Sequence, residues 1–72
     1  MAHVAKKLDR KFRNGFVTRT WDYRGAIISA THHCDAKHLM SWSVAMPDGN
    51  GFRALTKTEA KQAIDYRIDR SL

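Results

Sequence analysis

The segment from Leu39 to Met46 alternates with period two. Met40, Trp42, Val44 and Met46 are large and apolar, while Ser41, Ser43 and Ala45 between them are small. This is the pattern of a strand in an antiparallel sheet buried on one face only. Pro47-Asp48-Gly49-Asn50-Gly51 follows as a dense turn signal, since Pro presets φ and Gly and Asn tolerate positive φ. Phe52-Arg53-Ala54-Leu55 then returns as a short strand.

A helix comes next, over residues 56–70. Thr56 and Glu59 have capping-box spacing, and Leu55 is placed to staple onto Ala60. Ala60, Ala63, Ile64 and Ile68 form an apolar stripe, and Lys61 and Asp65 stand at i, i+4. The stripe needs a surface, and the large face of the Trp42 strand supplies one. Trp42 and Ile64 are therefore expected to be buried against each other or against a shared neighbour.

Upstream, residues 16–21 alternate and carry Val and Thr, and residues 26–31 read as a second strand, with a turn or bulge at Asp22-Tyr23-Arg24-Gly25. Residues 32–38 are too polar for a core element and read as a loop. Residues 1–15 form a basic lead-in ended by Asn14-Gly15. Val4, Leu8 and Phe12 recur every four residues, which suits a short amphipathic helix over 5–13, but helices this short are marginal in water. A floppy arm that orders on a partner is the competing reading. The fold class is thus α+β: a single domain, 1–72, with an antiparallel sheet of three to four strands at 16–55 packed on the C-terminal helix. Hydrophobic residues make up 43% of the chain, enough for a folded domain rather than a disordered tail.

Between Trp42 and Ile64 the chain resembles a known module. The strings Trp42-Ser43-Val44, Pro47-Asp48-Gly49, Phe52-Arg53 and Thr56-Lys57-Thr58-Glu59-Ala60, followed by Ile64, are similar to the strand–turn–strand–helix half of arm-type, AP2-like DNA-binding domains at the N-terminus of phage integrases. The resemblance covers residues 42–68. It implies a three-stranded sheet on a C-terminal helix, laid in the DNA major groove. Similar strand–strand–helix modules also occur as free-standing phage proteins. The His-rich loop has no counterpart in that pattern, and no recombinase domain is present.

Charge points the same way. Lys6, Lys7, Arg10, Lys11, Arg13, Arg19 and Arg24 hold seven of the 13 Lys and Arg residues, opposed within that span only by Asp9 and Asp22. Phe12, Phe16, Trp21 and Tyr23 are set among them. The span holds a net +5 of the chain's +6. Such a surface suits a polyanion, because each neutralised phosphate releases a counterion. The expected nucleic-acid contacts are Lys6, Lys7, Lys11 and Arg13 on phosphates, with Arg10 in the same run, and Arg19 and Arg24 on base edges from the first hairpin. Trp21 and Tyr23 either stack on single-stranded bases or lie in the core. DNA is favoured over RNA.

The other function classes are thinner. His32, His33, Cys34 and His38 are zinc-type ligands, but adjacent residues rarely converge on one ion, so no metal or other cofactor is expected. The carboxylates are scattered without acid/base spacing, there is no phosphate-cradling glycine loop, and a chain of 72 residues has little room for a substrate pocket, so no enzyme is expected. A lone cysteine suits a reducing, cytoplasmic setting. No apolar run is long enough to span a bilayer, and the basic N-terminus lacks the apolar stretch of a signal peptide. The alternative function is a phage-encoded inhibitor or adaptor that binds a host protein complex, such as a polymerase or a CRISPR surveillance complex.

Overall fold

A computed structural model of the chain describes residues 4–36 and 38–71. Residues 1–3 of the lead-in and Lys37 of the polar loop lie outside them. Five strands, β1 (Lys6–Arg13), β2 (Phe16–Tyr23), β3 (Ala26–His33), β4 (Ser41–Ala45) and β5 (Gly51–Ala54), are followed by one helix, α1 (Lys57–Ser71). The strands form one antiparallel sheet in sequence order. The α+β class and the C-terminal helix are as expected; the strand count is five rather than three to four.

The extra strand is the lead-in. Residues 5–13 were expected as helix or arm, yet Lys6–Arg13 is a strand hydrogen-bonded to β2. Asn14 and Gly15 have φ of 54° and 80°. Two consecutive left-handed residues make the tight turn whose twist matches an antiparallel hairpin. The backbone of residues 6–13 then finds its partners on β2 instead of within a marginal helix. The Val4–Leu8–Phe12 spacing does not mark a core face: Leu8 is the extra residue of a bulge between Lys7 and Asp9, and Phe12 is 68% exposed. β3 also runs on through His32 and His33, taking two residues of the expected loop.

One face of the sheet carries the core. Tyr23, Ala26, Ile28, Val44 and Met46 pack with Ala60 and Ile64 of α1, and Trp21, Trp42, Phe52, Ala54 and Ile68 close around them. Ile28 and Ile64 are completely buried. Each contributes roughly 1.5–3 kcal/mol by leaving water. Trp42 is half-buried against the cluster that contains Ile64, so the two share neighbours as the periodicity required.

The helix start follows its sequence signals in part. Thr56 Oγ1 accepts the Glu59 N–H at 3.1 Å. Leu55 does not staple: it is 80% exposed. The expected Lys61–Asp65 pair gives way to a longer-range contact. The Tyr23 hydroxyl donates to both Asp65 carboxylate oxygens at 2.9 Å, and Lys61 Nζ lies 5.3 Å from the centre of the Tyr23 ring. α1 packs over β3, β4 and β5, which leaves β1 as an edge beyond its cover.

Candidate nucleic-acid interface

Strand parity and register together fix where each cation points. Trp21 and Tyr23 face α1, so Val17 and Arg19 share their side, while Phe16, Thr18, Thr20 and Asp22 take the open face. Carried across the register, the open face gathers four rows. Asp9, Thr20, Ser29, Ser43 and Arg53 form one, and Lys11, Thr18, Thr31 and Ser41 the next. Arg13, Phe16 and His33 form the third. Lys6, Asp22, Ile27, Ala45 and Gly51 form the fourth.

The result is a field of hydroxyls with cations at its two edges. Thr18 and Thr31 touch through their hydroxyls at 3.2 Å. Phe16 meets the His33 ring edge-on, with ring centres 5.3 Å apart. Every residue of β1 is exposed. Lys11 Nζ is 3.9 Å from Asp9, a loose pair between well-exposed groups. Among the described residues, no carboxylate pairs with Lys6, Lys7, Arg10 or Arg13.

Of the residues singled out in the sequence, Lys6, Lys11 and Arg13 share this open face. Lys7, Arg10 and Arg19 point to the helix side, opposite the groove-facing role expected of Arg19. Trp21 stacks on Trp42 with ring centres 5.6 Å apart, and Lys57 Nζ sits 4.5 Å from the Trp21 ring centre. Tyr23 is core. Burial, then the hydrogen bond to Asp65, pushes its phenol pKa up.

Arg24 is also withdrawn. Its guanidinium donates to Asp65 at 2.8 Å and to Asp69 at 3.0 Å, with only 16% of the side chain exposed. Those two hydrogen bonds hold its pKa above the usual arginine value. Arg24 and Gly25, at φ 56° and 88°, repeat the two-residue left-handed turn of Asn14–Gly15, a conformation that side chains other than glycine rarely adopt. The hairpin tip between β2 and β3 is thus tied to the helix rather than free to read bases.

Sequence reasoning missed Arg53 and the hydroxyls of Thr18, Thr20, Ser29, Thr31, Ser41 and Ser43. The signal was present: these residues alternate with the apolar positions in strands already recognised.

Two other clusters bear on chemistry. His33, Cys34 and Asp35 bring one potential ligand atom each within 4.8 Å of one another, so adjacent residues do converge here, contrary to expectation. The Asp35 N–H nevertheless donates to His33 Nδ1 at 3.2 Å, which occupies that lone pair. His32 faces the other side of the sheet. Between the β4–β5 turn and α1 lies a groove of about 790 Å³, more space than the chain length suggested. Its one carboxylate among the described residues is Asp48, whose pKa is lowered by hydrogen bonds from the backbone and side-chain amides of Asn50. The groove therefore holds no carboxylate pair for acid/base work.

No family model, curated protein or solved structure matches the chain. Among the described residues, no helix is long and apolar enough to cross a membrane.

Proposed function

We propose that the protein binds nucleic acid, duplex DNA foremost, through β1 and the open face of its sheet, as a small module of the phage or mobile-element kind. The observation that carries this reading is β1 itself. Five cations lie on an eight-residue edge strand exposed throughout, with Asp9 as its only acid.

A sheet face can enter the major groove, where Ser and Thr hydroxyls serve either donors or acceptors on base edges. Thr18, Thr20, Ser29, Thr31, Ser41 and Ser43 present such hydroxyls on one surface. Lys6, Lys11 and Arg13 would take phosphates along one wall of the groove. Arg53, exposed at the far side, has the forked donors that suit guanine. The chemistry is binding alone.

The contrary reading, strand addition to a host protein at β1, is opposed by the strand's own features. Lysines and a bulge on an edge strand are devices that prevent pairing with another sheet.

The test is a titration of a labelled duplex of about 12 base pairs, longer than the roughly 26 Å of an eight-residue strand. Lys6→Gln with Lys11→Gln should weaken binding sharply at low salt while the melting temperature holds. Unchanged binding would reject this surface.

A further inference from the structure

The helix side of the β1–β2 hairpin carries a second basic cluster, and its details point to a ligand. Register places Arg10 directly opposite Arg19, both on the helix side. Like charges directly opposed across a sheet repel. Lys7 stands opposite Trp21, and Lys57 reaches over the same indole from the first turn of α1.

Among the described residues, no carboxylate answers them. Asp9 and Asp22 point to the open face. Asp65 and Asp69 are engaged by Arg24 beyond the opposite end of β2, and Glu59 lines a hollow with Arg53 and Leu55.

Within the cluster, Arg19 Nε is shut off from solvent and has no hydrogen-bond partner among the described residues. Farther toward the Asn14–Gly15 turn, on the same side and across from Val17, stands His32. That ring is 6% exposed, and its Nδ1 lies 2.9 Å from the carbonyl of His33 while Nε2 is unpartnered. A shielded, unsatisfied donor inside a like-charge pair calls for an explanation, and a bound anion supplies one.

We propose that Arg10, Arg19 and Lys7 form a phosphate clamp on the helix side of the hairpin, taking one phosphodiester of the bound strand. The assignment of the phosphate to nucleic acid rests on the reading given above. With the open face in the groove, a phosphate wall rises past the edge strand, and residues pointing back from β1 meet it. Arg19 is the packed half of the clamp, and Arg10, exposed, is the half that closes. Guanidinium forks match the oxygens of a phosphate in pairs. Binding would then satisfy the orphaned Nε and relieve the repulsion together.

The test uses the full chain, inorganic phosphate as the probe, and chloride at matched ionic strength as the reference. Phosphate at ten times its Kd should raise the melting temperature by roughly 5–10 °C over chloride. It should also shift the Arg19 Nε–H resonance. Arg10→Gln should melt no lower than the parent without phosphate, because a repulsion is removed, and should lose most of the phosphate increment. Lys11→Gln, on the open face, should keep it.

An increment equal in the parent and in Arg10→Gln, or an unmoved Arg19 resonance, overturns the clamp; a buried water would produce that result. The duplex titration separates this from the broader reading. Duplex binding without any phosphate response rejects the clamp alone. A phosphate response without duplex binding at low salt rejects the assignment to a phosphodiester.

Discussion

Ile64→Ala removes the side chain on which the sheet–helix interface closes. Ile64 is 0% exposed and packs into the cluster formed by Tyr23, Ala26, Ile28, Val44 and Met46. Truncating a buried Ile costs ~2–5 kcal/mol, and a site enclosed by both strands and helix has little freedom to collapse, which favours ~3–4 kcal/mol. A domain of 72 residues holds about 4–11 kcal/mol in total. Its unfolding entropy near the midpoint is about 0.15 kcal/mol per kelvin. The expected fall in melting temperature is therefore about 20–25 °C, read by far-UV circular dichroism with the unfolding transition still cooperative. Leu55→Ala is the internal control: the side chain is 80% exposed, so the change should stay within roughly 0.5 kcal/mol, or about 3 °C. If Ile64→Ala falls by no more than Leu55→Ala, the helix is not seated on the sheet as described.

Further outcomes test the surrounding details. Trp42→Ala should destabilise by less than the ~3–5 kcal/mol of a fully buried aromatic, because Trp42 is only half-buried, and should remove the stacking signature with Trp21 from near-UV circular dichroism. The Tyr23 phenol has a folded pKa raised above 10, so its contribution to stability is complete below pH 10 and is lost as pH rises through the folded value, where the unfolded phenol has already ionised. Melting temperature should accordingly fall more steeply above pH 10 for the parent than for Tyr23→Phe. Gly15→Ala places a Cβ 3.0 Å from His33 Nε2 at φ +80°, and should cost ~1–2 kcal/mol in chemical denaturation. Arg24→Gln should lower the melting temperature yet leave duplex affinity unchanged, since its guanidinium is spent on Asp65 and Asp69.

What could be read from the sequence was local. The β4 alternation, the Pro47–Gly51 turn and the Thr56 cap each state their structure within a few residues, and the protein follows them. β1 hides its nature because both its faces meet solvent, so nothing enforces a period of two. Leu8 and Phe12 fall four apart, but the bulge takes Leu8 out of the pairing register, so the spacing marks no shared face. Only Asn14-Gly15 spoke for a hairpin. The facing of Arg19 was legible in principle, because it shares the parity of Val17, Trp21 and Tyr23. The role of Arg24 was not: its partners lie 41 and 45 residues away, and nothing in the local pattern announces a pair that forms only when α1 lies across the hairpin tip. The open hydroxyl face became visible only once the register aligned residues from β2, β3 and β4.

The most direct measurement is the salt dependence of duplex binding, by fluorescence anisotropy at about 50 and 200 mM monovalent salt. If the β1 cations neutralise about four phosphates, the slope of log K against log salt is about −3.6, a loss of roughly 100-fold between the two conditions. Lys11→Gln should reduce that slope by about one without changing the melting temperature. Absence of binding at the lower salt, or binding indifferent to salt, would contradict the assignment of this basic hairpin to nucleic acid.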